Sequence, residues 1–271
     1  MLPDGESKPS LPAITRDNLN EYLKDLGKEF RRLSGTKSQA EIVLVGGAAI
    51  LAKYDFRDIT YDVDAIIVAS TAMKDAINHV RDKHGLPHGW LNTDFKRTAS
   101  YSDKLLEVSI YYRTFSNVLI VRTVAAEYLL AMKLMSGRQY KNDLSDIVGI
   151  LWEHQKNGVP LLREAVEKAF GVLYGADLTI PETSRILLDA VFADENLEAL
   201  YQNAREGEIE SRELLLEFKR EYPDALKGEN IDGIIGQIKR KRSTTPKNDS
   251  LLARLEEAKG KQGDGSSALL E

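Results

Sequence analysis

Residues 41–52 read EIVLVGGAAILA and residues 57–68 read RDITYDVDAIIV. The first stretch opens with an apolar, β-branched run, Glu41–Val45, which predicts a buried strand. Gly46-Gly47 breaks that strand, and Ala48–Ala52 starts a helix. The second stretch predicts a strand over 61–68, with Asp62 and Asp64 two residues apart. On a strand, positions i and i+2 face the same way, so the two carboxylates project together. Such a pair repels itself unless a cation neutralises it. A hard divalent ion, Mg²⁺ or Mn²⁺, binds through oxygen ligands and leaves room for substrate phosphates. The two glycines supply the complementary half. Glycine lets backbone approach a ligand closely, and the N–H groups that open a helix point at an anion. A phosphate cradle beside a carboxylate pair is the equipment of phosphoryl or nucleotidyl transfer.

A third carboxylate would complete such a site. Glu107, set between apolar neighbours in an expected strand over 105–112, is the best candidate, with Asp103 a weaker one. A further strand is expected over 117–121, and a helix over 71–84. Residues 85–100, which include GLPHGWLN, read as loop and turns. Upstream, Leu19, Tyr22, Leu23, Leu26, Phe30 and Leu33 recur at helical spacing, with Asp17 or Asn18 as N-cap and Ser34-Gly35 as the stop. Downstream of residue 122 the pattern is helical throughout: 124–135, 142–155, 160–173, 181–192, 195–205, 209–221 and 230–242. The expected fold is therefore α/β (α+β), a small mixed sheet followed by a mainly helical C-terminal region. Its expected divisions are an arm over 1–15, a core over 16–122, a helical domain over 123–242 and a tail over 243–271.

The 271 residues include 37 basic and 42 acidic side chains, a net charge of −5, and no cysteine. This composition excludes disulfide scaffolds, thiolate zinc sites and cysteine nucleophiles, as well as an all-over cationic surface for nucleic acid. The first 18 residues have no apolar h-region, and nowhere do about 18 apolar residues run together. A cytoplasmic protein without a membrane span is expected.

Gly46-Gly47, the lead-in Arg57 to Thr60, Asp62-Val63-Asp64 and a later acidic strand together resemble the DNA polymerase β-like nucleotidyltransferase superfamily. Within it the arrangement resembles the abortive-infection and toxin–antitoxin enzymes, the AbiEii-like group. The segment 87–92 (PHGWLN) and the run Glu127–Lys133, Arg138, Asp143–Asp146 are similar to segments of that group, so the resemblance covers roughly residues 40–155. It implies a Mg²⁺-dependent transfer of a nucleoside monophosphate from an NTP to an acceptor, a tRNA end, an oligonucleotide or a protein. It also implies a phage-defence or toxin–antitoxin setting with a companion protein. By position, Gly46, Gly47, Arg57, Thr60 and Lys133 would bind the nucleotide, and Asp62, Asp64 and Glu107 would hold metal and act in catalysis. Asp143, with Asp146, would orient Lys133 or Arg138 or line the rim. Glu107 departs from the family's usual Asp.

Plainer readings stand beside these. A Gly pair is often a turn, and exposed strands carry acids freely. Arg57 has Asp55 and Asp58 as neighbours to pair with, and Lys133 can snorkel from a buried helix. His84 and His88 lack a zinc motif, and Trp90 suits packing. The basic run Lys239–Arg242 suits a helix C-terminus as well as a phosphate backbone. A catalytically inactive nucleotidyltransferase fold, serving as antitoxin or sensor, is the competing reading.

Overall fold

The computed structural model describes residues 13–136 and 143–222, together with 231, 233–235 and 237. Residues 1–12 of the arm expected over 1–15, Arg138, most of the helix over 230–242, the run Lys239–Arg242 and the tail lie outside the described residues. The chain divides into two units, Met1–Leu129 and Leu130–Glu271.

The first unit is built on a five-stranded mixed sheet of order β5-β4-β2-β7-β6. Its central strand, β2 (Ala40–Leu44), is almost entirely apolar and lies between two partners. β4 (Val63–Val68) runs antiparallel to it and β7 (Leu119–Val124) parallel. β5 (Leu91–Asn92) extends the sheet beside β4, and β6 (Ser109–Phe115) closes the other edge. The β6–β7 hairpin turns through the three residues Ser116–Val118, with Ser116 and Asn117 both at positive φ.

Register separates the sheet into two unlike faces. Ile42, Leu44, Ala65, Leu119 and Val121 share one face and are buried. Glu41, Asp64, Arg122 and Asn92 are half-buried on the other, which also carries the buried Val43 and Ile66. On that face Arg122 donates to Ser109 Oγ at 2.7 Å and pairs with Glu41 at 3.3 Å.

α1 (Arg16–Ser34) packs its apolar stripe against α3 (Ala72–His84) and the hairpin. Its N-cap is Thr15 rather than Asp17 or Asn18. Thr15 and Asn18 form a reciprocal capping box, with Thr15 N–H donating to Asn18 Oδ1 at 2.8 Å. Thr15 also belongs to β1 (Ile14–Thr15), which pairs with β3 (Ile59–Thr60). These two-residue strands are too short to leave a periodic signal. α2 (Gly46–Lys53) follows β2 directly.

The second unit is helical. α4 (Ala126–Ser136) leads into it, followed by α5 (Asp143–Lys156), α6 (Arg163–Tyr174), α7 (Glu182–Ala193) and α8 (Leu197–Glu221). α8 is one 25-residue helix where the sequence pattern suggests two. Gly207 and Glu208, which interrupt the apolar periodicity, are buried against α5 rather than exposed in a break. No described helix is long and apolar enough to cross a membrane.

One contact tests how α1 is seated. A Cβ added to Gly27 would lie 2.9 Å from Phe115 Cβ and 3.1 Å from its carbonyl oxygen. Gly27→Ala is therefore expected to destabilise the first unit by about 1–3 kcal/mol through overpacking. Urea unfolding followed by far-UV circular dichroism measures this, and an unchanged midpoint would contradict the packing.

Candidate functional site

The glycine pair does not precede α2 but forms its first turn. Val45 is the N-cap, in extended backbone, with no side chain capping the helix. Gly46 has φ +54, a left-handed conformation that glycine adopts without penalty. Gly47 meets a different demand, because a Cβ there would lie 2.8 Å from Arg57 Nη2 and 3.0 Å from Thr60 Oγ1. The chain from α2 to β3 thus folds the Arg57 guanidinium and the Thr60 hydroxyl onto the start of the helix. Arg57 is steadied by its Nε donating to Ile59 O at 3.2 Å, and Thr60 by donating to Asp62 O at 3.2 Å. The nearest atom to a Cβ on Gly46 is Asp64 Oδ2, at 3.9 Å. Five of the residues singled out in the sequence, Gly46, Gly47, Arg57, Thr60 and Asp64, therefore gather at one end of the sheet.

Asp62 and Glu107 need correction in their local structure. β4 begins at Val63, so Asp62 lies in the bend before it, exposed, and not on the strand with Asp64. The β3–β4 connection turns there, with Thr60 bonded to the Asp62 carbonyl. The strand expected over 105–112 runs instead over Ser109–Phe115. Glu107 sits in the turn ahead of it, exposed, and Asp103 opens a short 3₁₀ turn, also exposed. The charge that looked out of place within a strand is thus a solvated turn residue. Three strand spacings, about 14 Å, separate β6 from β4, so register does not bring Glu107 beside Asp64.

Lys133, Asp143 and Asp146 belong to the second unit. The Lys133 ammonium lies 2.6 Å from Asp143 Oδ1 and 2.8 Å from Asp146 Oδ2, and all three side chains are largely buried. Ser136 Oγ donates to Asp143 Oδ2 at 2.9 Å. The two carboxylates hold the lysine in place, and the lysine is no snorkelling end.

Beside this cluster α8 inserts Glu208, 2% exposed. Its carboxylate accepts the Ser145 N–H at 3.0 Å and the Ser145 hydroxyl, and so caps the start of α5 from another helix. Burial, and then the neighbouring Asp146 and Asp143 charges, push its pKa up to about 7, against the opposing Ser145 hydrogen bonds. Helical spacing from Ala204 through Glu208 to Ser211 is the signal that would have marked this position as inward-facing.

A second group missed in the sequence lies on the α1–α3 seam. Glu21, Asp25 and His84 each offer a ligand atom, all within 4.8 Å of one another, a donor set compatible with a divalent ion. Asp25, 5% exposed, already has Lys83 Nζ at 2.6 Å, His84 Nε2 at 2.9 Å and Lys28 Nζ at 3.1 Å. Burial alone would raise its pKa, but these three partners outweigh burial and hold it below the usual carboxylate range. Two ammonium groups thus supply the charge that a cation would bring. Trp90 is fully buried, donates Nε1–H to Ile77 O at 3.3 Å and meets Tyr22 edge-on. It is a packing anchor.

In chemical class, an uncapped helix start flanked by a guanidinium, a hydroxyl and a carboxylate suits a phosphate together with its counter-cation. Residues 21–169 match the family described as nucleotidyltransferase of unknown function (DUF6036), and the chain belongs to that family. The match begins within α1 and ends within α6. No curated protein and no solved structure matches the chain.

Glu208 yields a pH prediction. Its folded pKa of about 7 lies above the ordinary glutamate value of 4.5, so its contribution to stability is full below about 4.5 and is lost as pH rises through 7. Between pH 5 and 8 the second unit should lose on the order of 3 kcal/mol relative to Glu208→Gln, which keeps the shape without the titration. Urea midpoints at the two pH values measure this. Identical pH dependence in both proteins would contradict it.

Proposed function

We propose that the protein is a divalent-metal-dependent nucleotidyltransferase that moves a nucleoside monophosphate from an NTP to an acceptor and releases pyrophosphate. The observation that carries this reading is the α2 N-terminus. Its first-turn N–H groups have no side-chain cap, and Arg57 and Thr60 are folded over Gly47 where a phosphate would bind. A phosphate there meets backbone donors, a helix dipole and a guanidinium whose planar fork suits its oxygens.

Asp64, turned toward Gly46, and Asp62, two residues before it, would hold Mg²⁺ or Mn²⁺. Their hard oxygen donors fit that ion. The ion, when bound, neutralises charge on the attacking and leaving oxygens. Arg57 and Thr60 orient the triphosphate, which aligns the α-phosphorus for attack by the acceptor oxygen as the bond to the β-phosphate breaks.

For Lys133, Asp143 and Asp146 the assignment to the nucleotide rests on the family resemblance alone, as does a catalytic role for Glu107. The same resemblance supports a cytoplasmic defence or toxin–antitoxin setting, a companion protein, and a tRNA end, an oligonucleotide or a protein as acceptor.

The test is incubation with α-³²P-labelled NTPs and Mg²⁺ in the presence of total tRNA, DNA or protein. Wild type is expected to label one acceptor class, and Asp62→Ala/Asp64→Ala is expected to lose at least about a hundredfold of that rate. Equal labelling by the two proteins would overturn the enzyme reading and favour a binding module.

A further inference from the structure

We propose that Arg16 is a positioning residue for the phosphate site: its guanidinium holds the C-terminal end of α2 and so fixes where the first-turn N–H groups of that helix stand. This inference rests on the reading of the α2 N-terminus given above.

The helix needs such a hold. α2 has eight residues, and two of its first-turn positions are glycine, the poorest helix former after proline. Helices shorter than about 12 residues are marginal by themselves. Val45 supplies no side-chain cap, and Gly47 must stay without a Cβ because Arg57 and Thr60 occupy that space. The middle of α2, Ala48–Leu51, is buried. That burial seats the helix on the core, but hydrophobic contact is non-directional. Direction has to come from hydrogen bonds at the end away from the phosphate.

Arg16 makes them. Its Nε donates to Leu51 O at 3.0 Å, its Nη2 donates to Tyr54 O, and its Nη1 lies 2.6 Å from Asp55 Oδ1. Leu51 O is among the last carbonyls of α2, which a helix leaves without a partner of its own. A cation there also complements the helix dipole. Three acceptors met by three nitrogens suit a planar fork, and not the point charge of a lysine.

Arg16 is itself placed by the scaffold of the site. It opens α1 directly after Thr15, whose capping box sets the start of that helix. Ile14 and Thr15 pair with Thr60 and Ile59. The segment 14–16 therefore sets Thr60 against Gly47 at one end of α2 and a guanidinium at the other. Eight residues of helix rise about 12 Å, so Arg16 acts on a phosphate through α2 and not by touching it.

The test is isothermal titration of the full chain with inorganic tripolyphosphate and Mg²⁺, a probe of the phosphate site that needs no base. The binding assigned to the site is the part lost in Arg57→Ala. Arg16→Ala is expected to weaken that binding about tenfold at temperatures where circular dichroism shows it folded. Arg16→Lys, which keeps the charge and the stem, is expected to weaken it similarly. Millimolar methylguanidinium is expected to restore affinity to Arg16→Ala and to leave wild type unchanged. A merely structural Arg16 would leave the folded fraction binding like wild type. Either variant binding tripolyphosphate like wild type, or no recovery with methylguanidinium, overturns the inference. Should Arg16→Ala not fold, Arg16→Lys decides alone; if neither folds, Arg16 serves the fold only and the inference is overturned. If wild type binds no tripolyphosphate, or Arg57→Ala retains all of it, the reading of the α2 N-terminus itself fails and this inference falls with it.

Discussion

The sheet end depends on one backbone hydrogen bond, from Val45 N–H to the Asp64 carbonyl at 3.0 Å. It is the last rung of the antiparallel β2–β4 pairing, and it falls where β2 stops being a strand. One residue later Gly46 takes a left-handed φ and α2 begins. The start of a helix and a carboxylate are thereby fixed next to each other by main-chain geometry, whatever their side chains prefer. The β3 segment, tied to β1 by Ile14 and Thr15, then brings Arg57 and Thr60 onto Gly47. The two glycines answer different demands: Gly46 a backbone angle, Gly47 the space that another side chain occupies.

Charge is handled differently in the two units. At the sheet end Asp62 is exposed and Asp64 half-buried, so negative charge remains within reach of solvent and solutes. In the second unit Lys133 pairs with Asp143 and Asp146, all three largely buried, while the buried Glu208 beside them is bonded by Ser145. Removing Lys133 would take a buried cation away from both carboxylates, a loss of about 3 kcal/mol or more. A lysine-to-alanine variant therefore reports on folding before it reports on phosphate. Glu208, from a helix beyond the residues that match the family, caps α5 and ties α8 to it.

What could be read in the sequence follows from the range of each signal. Long periodic helices such as α1, α3 and α5 were legible within a few residues, as was the strand–Gly-Gly–helix unit, because each rests on local patterns. The α1 cap was misplaced because Thr15 competes with Asp17 and Asn18, all good caps by type. β1, β3 and β5 are two residues each and exist only as partners of other strands, so no local pattern announces them. Glu107 was misread because a charge flanked by Leu106 and Val108 looks alike in a strand and in the turn before one. Glu208 required knowing that α8 is continuous, which packing against α5 decides.

The most direct measurement of the central claim is a crystal structure of the full chain soaked with Mg²⁺ and a non-hydrolysable α,β-methylene NTP. The account predicts phosphate oxygens on the N–H groups of the first turn of α2, within hydrogen-bond distance of Arg57 and Thr60, and the ion on Asp62 and Asp64. Nucleotide bound elsewhere, with the α2 N-terminus and Asp64 untouched, would contradict it.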